Sequence, residues 1–106
     1  MSDFKNGSVK ISNDIIDQLV AESALKVEGV HSVIGYKNGK FDGRKKEALI
    51  ANVEDNSMQI KVTIVVKAGE NVYEVAENVQ KNVKEQIHTI LAFDIDHVDV
   101  FVKDIA

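Results

Sequence analysis

Residues 58–67 read Met58-Gln59-Ile60-Lys61-Val62-Thr63-Ile64-Val65-Val66-Lys67. Met58, Ile60, Val62, Ile64 and Val66 alternate with Gln59, Lys61, Thr63, Val65 and Lys67, the period of two that sends successive strand side chains to opposite faces of a sheet. One face is wholly apolar and mostly β-branched, which suits a covered sheet surface; the other is mixed. This predicts a sheet with one covered face and one open face. Upstream, residues 49–54 read as a second strand, joined to the first through the turn residues Asp55-Asn56-Ser57. Downstream, Ala68-Gly69 ends the strand and a helix is predicted over residues 71–91. Its apolar stripe is Val72, Ala76, Val79, Val83, Ile87 and Ile90. A closing strand follows, in which Val98, Val100 and Val102 alternate with Asp99, Phe101 and Lys103.

The first third of the chain carries the same kinds of element. A short strand is predicted at Val9-Lys10-Ile11, then a helix capped by Ser12 or Asn13, with Asp14 in a first turn whose dipole favours negative charge. Ile15, Ile16, Leu19, Val20, Ala24 and Val27 give that helix its apolar face, and Glu28-Gly29 ends it. Residues 30–34 read as a strand. The order is β-α-β-β-β-α-β, and two helices with one apolar stripe each are most simply buried on the same face of the sheet. The predicted fold is α+β: a two-layer sandwich, two helices packed on one face of a mixed or antiparallel sheet. The 106 residues make one domain, with 1–8 loosely ordered and 37–48 a turn-rich basic loop.

Composition narrows the chemistry. Sixteen Val and eleven Ile favour strands, while the absence of Cys excludes disulfides, thiolate metal sites and a cysteine nucleophile. No apolar run approaches the roughly 20 residues of a membrane-spanning helix, so the expectation is a cytoplasmic protein. Thirteen basic against 17 acidic residues, a net charge of −4, argue against a general nucleic-acid binder.

The segments Gly7-Ser8-Val9-Lys10-Ile11-Ser12 and Gly29-Val30, with the helix Ile16, Leu19, Val20, Ala24 and Val27 between them, resemble the opening of the alkaline shock protein family of bacterial envelope stress response proteins. Gly69, Val72, Val75-Ala76, Val79-Gln80 and Val83, followed by Val98, Val100 and Val102, resemble that family's second block. The resemblance covers roughly residues 7–103. It departs from the family at Ala68, where Tyr usually precedes the glycine, and at Leu91-Ala92-Phe93-Asp94, where a Thr-Gly-Leu-like turn is common. The resemblance implies no catalytic residues, a link to cell-envelope homeostasis and a tendency to self-associate. In some members it implies retention at the inner membrane surface by a partner protein.

Read residue by residue, the chain offers little catalytic equipment. His88 falls on the polar side of its helix, no His-x-x-x-His pair exists, and Asp94, Asp96, His97 and Asp99 lack the Gly turn and downstream Glu of a calcium loop. No metal site and no cofactor are expected. Ser8, Ser12, Ser23, Ser32 and Ser57 lie in caps, a helix or turns without the glycines of a nucleophile elbow. Two surface features remain. Lys37, Lys40, Arg44, Lys45 and Lys46 form a basic segment that is a candidate contact for an anionic partner: head groups, an acidic protein or, as the weakest of these, RNA. Leu25, Val65 and Phe101 are candidate interface residues, Val65 and Phe101 on the open sheet face. The functional expectation is a non-enzymatic scaffold or adaptor in envelope or envelope-lipid homeostasis, with a protein partner, self-association and only peripheral membrane contact. An RNA- or anion-binding module and a regulator of a metabolic enzyme are the alternatives.

Overall fold

A computed structural model describes residues 12–37, 40–41, 49–54, 57–95 and 97–106 of the chain. The elements are α1 (Asn13–Leu25), β1 (Val30–Val33), β2 (Tyr36–Lys37), β3 (Lys40–Phe41), β4 (Leu49–Glu54), β5 (Ser57–Val66), α2 (Val72–Leu91) and β6 (His97–Ile105). The strand expected at residues 9–11 lies outside the described residues.

The alternating stretch becomes β5, the strand around which the sheet is built. β6 pairs with it in parallel along one edge, from Gln59↔His97 to Val66↔Ile105. β4 and β1 share the other edge end to end, both antiparallel: β4 from Glu54↔Ser57 to Leu49↔Val62, β1 from Val33↔Ile64 to Val30↔Val66. The Ile34 N–H donates to the Thr63 carbonyl at 2.9 Å between these two stretches. β1 ends and β4 begins along this one edge, and the small β2–β3 pair falls between them in sequence. Among the described residues the sheet is mixed and three strands wide. Its parallel pair follows from the chain's course, because a parallel partner requires a crossover and α2 supplies it.

Ile60, Val62, Ile64 and Val66 are at most 1% exposed beneath the two helices. Each such side chain contributes roughly 1.5–3 kcal/mol on burial. α2 meets them with Val75, Val79, Val83 and Ile87, spaced four apart and all buried. This corrects the predicted stripe: Val75 is buried, while Val72, packed against the core from its margin, and Ala76 are half-buried, and Ile90, beyond the last packed turn, is 57% exposed. On α1, Ile16, Val20 and Ala24 are buried as expected, but so is Ala21, and Ile15 is exposed. The reason is lateral contact with α2, fixed where the Asn82 side-chain amide donates to the Ser23 carbonyl at 2.6 Å. A second neighbour widens the arc of α1 that must be small or apolar.

The caps are local chemistry. The Ser12 hydroxyl accepts from the Ile15 N–H and the Asn71 side chain from the Glu74 N–H, each satisfying one of the first-turn donors that a helix leaves unpaired. α2 ends on Ala92 in the left-handed conformation (φ 53°), a place that glycine takes more cheaply.

Candidate interaction surface

β6 carries the most distinctive exposed strip of the sheet. Val98 is buried and Val100 and Val102 are half-buried on the core side, whereas Asp99, Phe101 and Lys103 point the other way and are exposed. Register sets Asp99 beside Lys61 and Phe101 beside Thr63, with an irregularity opposite Ile64 and Val65 that gives β6 one extra residue at Lys103. Such a bulge turns a strand locally and keeps the bulged residue off the ladder. Phe101 is 57% exposed. An aromatic ring left in water in the middle of a charged strip is the feature here that packing does not explain.

The other predicted surface residues are placed less uniformly. Val65 lies on the expected face, outside the core cluster, but is only 9% exposed, and Thr63 beside it 7%. The expectation that Val65 is an accessible contact is corrected accordingly. It sits on the central strand between Ser32 of β1 and Asp104 of β6, and flanking strands on both sides screen a short branched side chain. Leu25 is 37% exposed but belongs to the helix layer, on the opposite side of the sheet from Phe101, so the two do not form one patch. Lys37 and Lys40 are backbone partners in the β2–β3 pair; Arg44, Lys45 and Lys46 lie outside the described residues.

A polar latch that the sequence reading missed ties this pair of strands to α1. The Tyr36 hydroxyl donates to Glu22 Oε2 at 2.8 Å, and the Gln18 amide donates to the same oxygen at 3.0 Å. Partial burial first, and the adjacent Glu22 second, push the Tyr36 hydroxyl up to about 12. The Gln18 and then the Tyr36 hydrogen bonds hold the Glu22 carboxyl below its ordinary value. The only advance signal was an isolated Tyr at the start of a turn-rich stretch.

Elsewhere the chemistry is that of a surface. His88 Nδ1 is 2.8 Å from Asp94 Oδ1, both well exposed, in an open hollow shared with Lys81, Lys84, Glu85 and Ile95. His31 Nδ1 and Ser32 Oγ are 3.3 Å apart at an exposed strand position. Among the described residues no His, Cys, Asp and Glu side chains gather in threes to hold a metal ion. Among them, too, no helix is long and apolar enough to cross a membrane.

Comparison with known proteins gives a consistent family and fold. The sequence profile of the alkaline shock protein 23 family, described as having a cell envelope-related function, matches residues 1–106. The uncharacterized protein YloU of Bacillus subtilis (strain 168) is 27% identical over 108 residues, spanning 95% of this chain and 90% of that one. The uncharacterized protein Spy1614 of Streptococcus pyogenes serotype M6 is 28% identical over 108 residues, spanning 95% and 89%. Neither has a catalytic name. Among solved structures, MamM-CTD (215-293) superposes with a TM-score of 0.57 at 17% identity, covering 88% of this chain and 99% of that one. A copper form of MamM CTD gives the same TM-score and identity, covering 88% and 98%. At that identity the likeness is one of fold: both are α+β.

Proposed function

The chain belongs to the alkaline shock protein 23 family, with its cell envelope-related function, and from that premise we propose that it is a non-catalytic scaffold or adaptor that docks a protein partner on the open face of its sheet. The observation that carries this reading is Phe101, 57% exposed and flanked by Asp99 and Lys103. An exposed aromatic anchor within a polar rim is the usual anatomy of a protein contact. The partner is one that holds the protein at the inner face of the cell membrane, in keeping with a chain that offers no spanning helix among its described residues.

The basic segment at residues 37–46 would be a separate contact for an anionic surface. Its described part, the β2–β3 pair, falls in sequence between β1 and β4, the two strands across β5 from β6. The copper and cadmium forms of MamM CTD are not grounds for a metal here. The likeness is 17% in sequence, and the described residues gather no ligand set. The test is photo-crosslinking in living cells, from a photoreactive residue at position 101 and, as a control, at exposed position 90. A cell-envelope protein joined from position 101 and not from 90 supports the docking face; equal products from both, or none from 101, reject it.

A further inference from the structure

We propose that the outer edge of β6 pairs with β6 of a second copy of this chain, antiparallel about a two-fold axis at Phe101. Among the described residues β5 is the only strand that pairs with β6, and the backbone directions of β6 are fixed by two contacts. Thr63 on β5 gives its carbonyl to Ile34 on the β1 side, and Gln80 of α2 donates to the Val98 carbonyl at 2.9 Å on the side away from β5. Backbone groups alternate along a strand, so those of Val98, Val100 and Val102 point outward while those of Asp99 and Phe101 point to β5.

The sequence His97-Val98-Asp99-Val100-Phe101-Val102-Lys103-Asp104-Ile105 is nearly self-complementary about its centre. With the axis at Phe101, Val100 meets the partner's Val102 as a hydrogen-bonded pair, and again by symmetry. The two Phe101 rings stand side by side as a non-hydrogen-bonded pair, where side chains approach most closely. Asp99 faces the partner's Lys103, twice. Neighbouring registers do worse. An axis at Val100 sets Phe101 against the partner's Asp99 and His97 against the partner's Lys103. One at Val102 sets Phe101 against the partner's Lys103, and axes at 99 or 103 oppose like charges. The Gln80 contact at one end and the bulge at Lys103 at the other confine the pairing to residues 99–103. The contact is isologous, so it closes at a dimer, with the two sheets joined edge to edge and both Phe101 rings on one open face.

This pairing is independent of which protein docks on that face: a monomeric wild type would overturn it and leave the adaptor reading standing. The experiment is sedimentation velocity on the full chain and on Asp99→Lys and Lys103→Asp, alone and mixed, with circular dichroism confirming that each is folded. Wild type should dimerise at high micromolar concentration. Each single variant replaces two opposite-charge pairs by two like-charge pairs and should dissociate roughly tenfold or more readily. The equimolar mixture should regain the dimer as a heterodimer, since Lys at 99 and 103 of one chain then faces Asp at both positions of the other. As a second readout, Phe101→Cys, in a chain with no other cysteine, should form a disulfide-linked dimer on mild oxidation, and Ile90→Cys should not. A strictly monomeric wild type, variants that dimerise as well as wild type, or a mixture that stays monomeric would each overturn the pairing.

Discussion

Two glycines with nearly the same backbone separate conformational strain from steric contact. Gly29 has φ +99° and Gly69 φ +91°, both outside what L side chains adopt readily. A Cβ at Gly69 would meet nothing within 4 Å, whereas at Gly29 it would lie 2.6 Å from Val75 Cγ2. Val75 is a core residue, 3% exposed, on the second turn of α2, and a β-branched side chain in a helix has one strongly preferred rotamer. It cannot swing away. Gly69→Ala should therefore cost the backbone term alone, about 1–2 kcal/mol. Gly29→Ala should cost that plus an overpacking term of about 1–3 kcal/mol. The gain from a less flexible unfolded chain applies to both variants and drops out of the difference. Urea melts of both variants, in the wild-type and Val75→Ala backgrounds, form a double-mutant cycle. In the Val75→Ala background the penalty at position 29 should fall to that at 69. An undiminished penalty at position 29, or equal penalties at both positions in the wild-type background, would refute the close approach of α2 to the α1–β1 connection.

Ala92→Gly should stabilise the protein by about 0.5–1 kcal/mol, seen as a melting point higher by several degrees, because it relieves a left-handed alanine at the end of α2. Tyr36→Phe should remove the latch to Glu22 and reshape the pH profile of stability. Tyr36 has its pKa raised to about 12, so its contribution is complete below the ordinary tyrosine value and lost as pH rises through about 12. The lowered Glu22 contributes above the ordinary carboxylate value and loses that contribution as pH falls through its own. Chemical denaturation across pH should show the alkaline loss in wild type reduced in Tyr36→Phe, the acid limb moving less because Gln18 still holds Glu22.

The strand at the centre of the sheet, both helices and the Ser12 cap were legible because each is a local matter, although α1 stops at Leu25 with Lys26 as its C-cap rather than at the expected Glu28-Gly29. Ser12 sits where capping chemistry wants it, and β5 alternates for ten residues. What the sequence withheld was non-local. The shift of the α2 stripe to Val75 and the burial of Ala21 follow from the packing of α2 against α1, which no single helix's periodicity records. Val65 and Thr63 were assigned to the correct face but taken as accessible, since exposure on a central strand depends on its neighbours. That β1 and β4 are successive parts of one edge depends on pairing with β5. Phe101 was legible because alternation with Val98, Val100 and Val102 left one face for it.

The most direct test of the docking face is whether Phe101→Ser separates folding from function. Phe101 is 57% exposed and its nearest cross-strand neighbour is Thr63, so its loss should change stability by no more than about 0.5–1 kcal/mol. In cells lacking the protein, the variant should accumulate and melt like wild type yet fail to restore tolerance to cell-envelope stress. Full restoration by Phe101→Ser would contradict the account, and a variant that unfolds would show that Phe101 belongs to the core rather than to a contact surface.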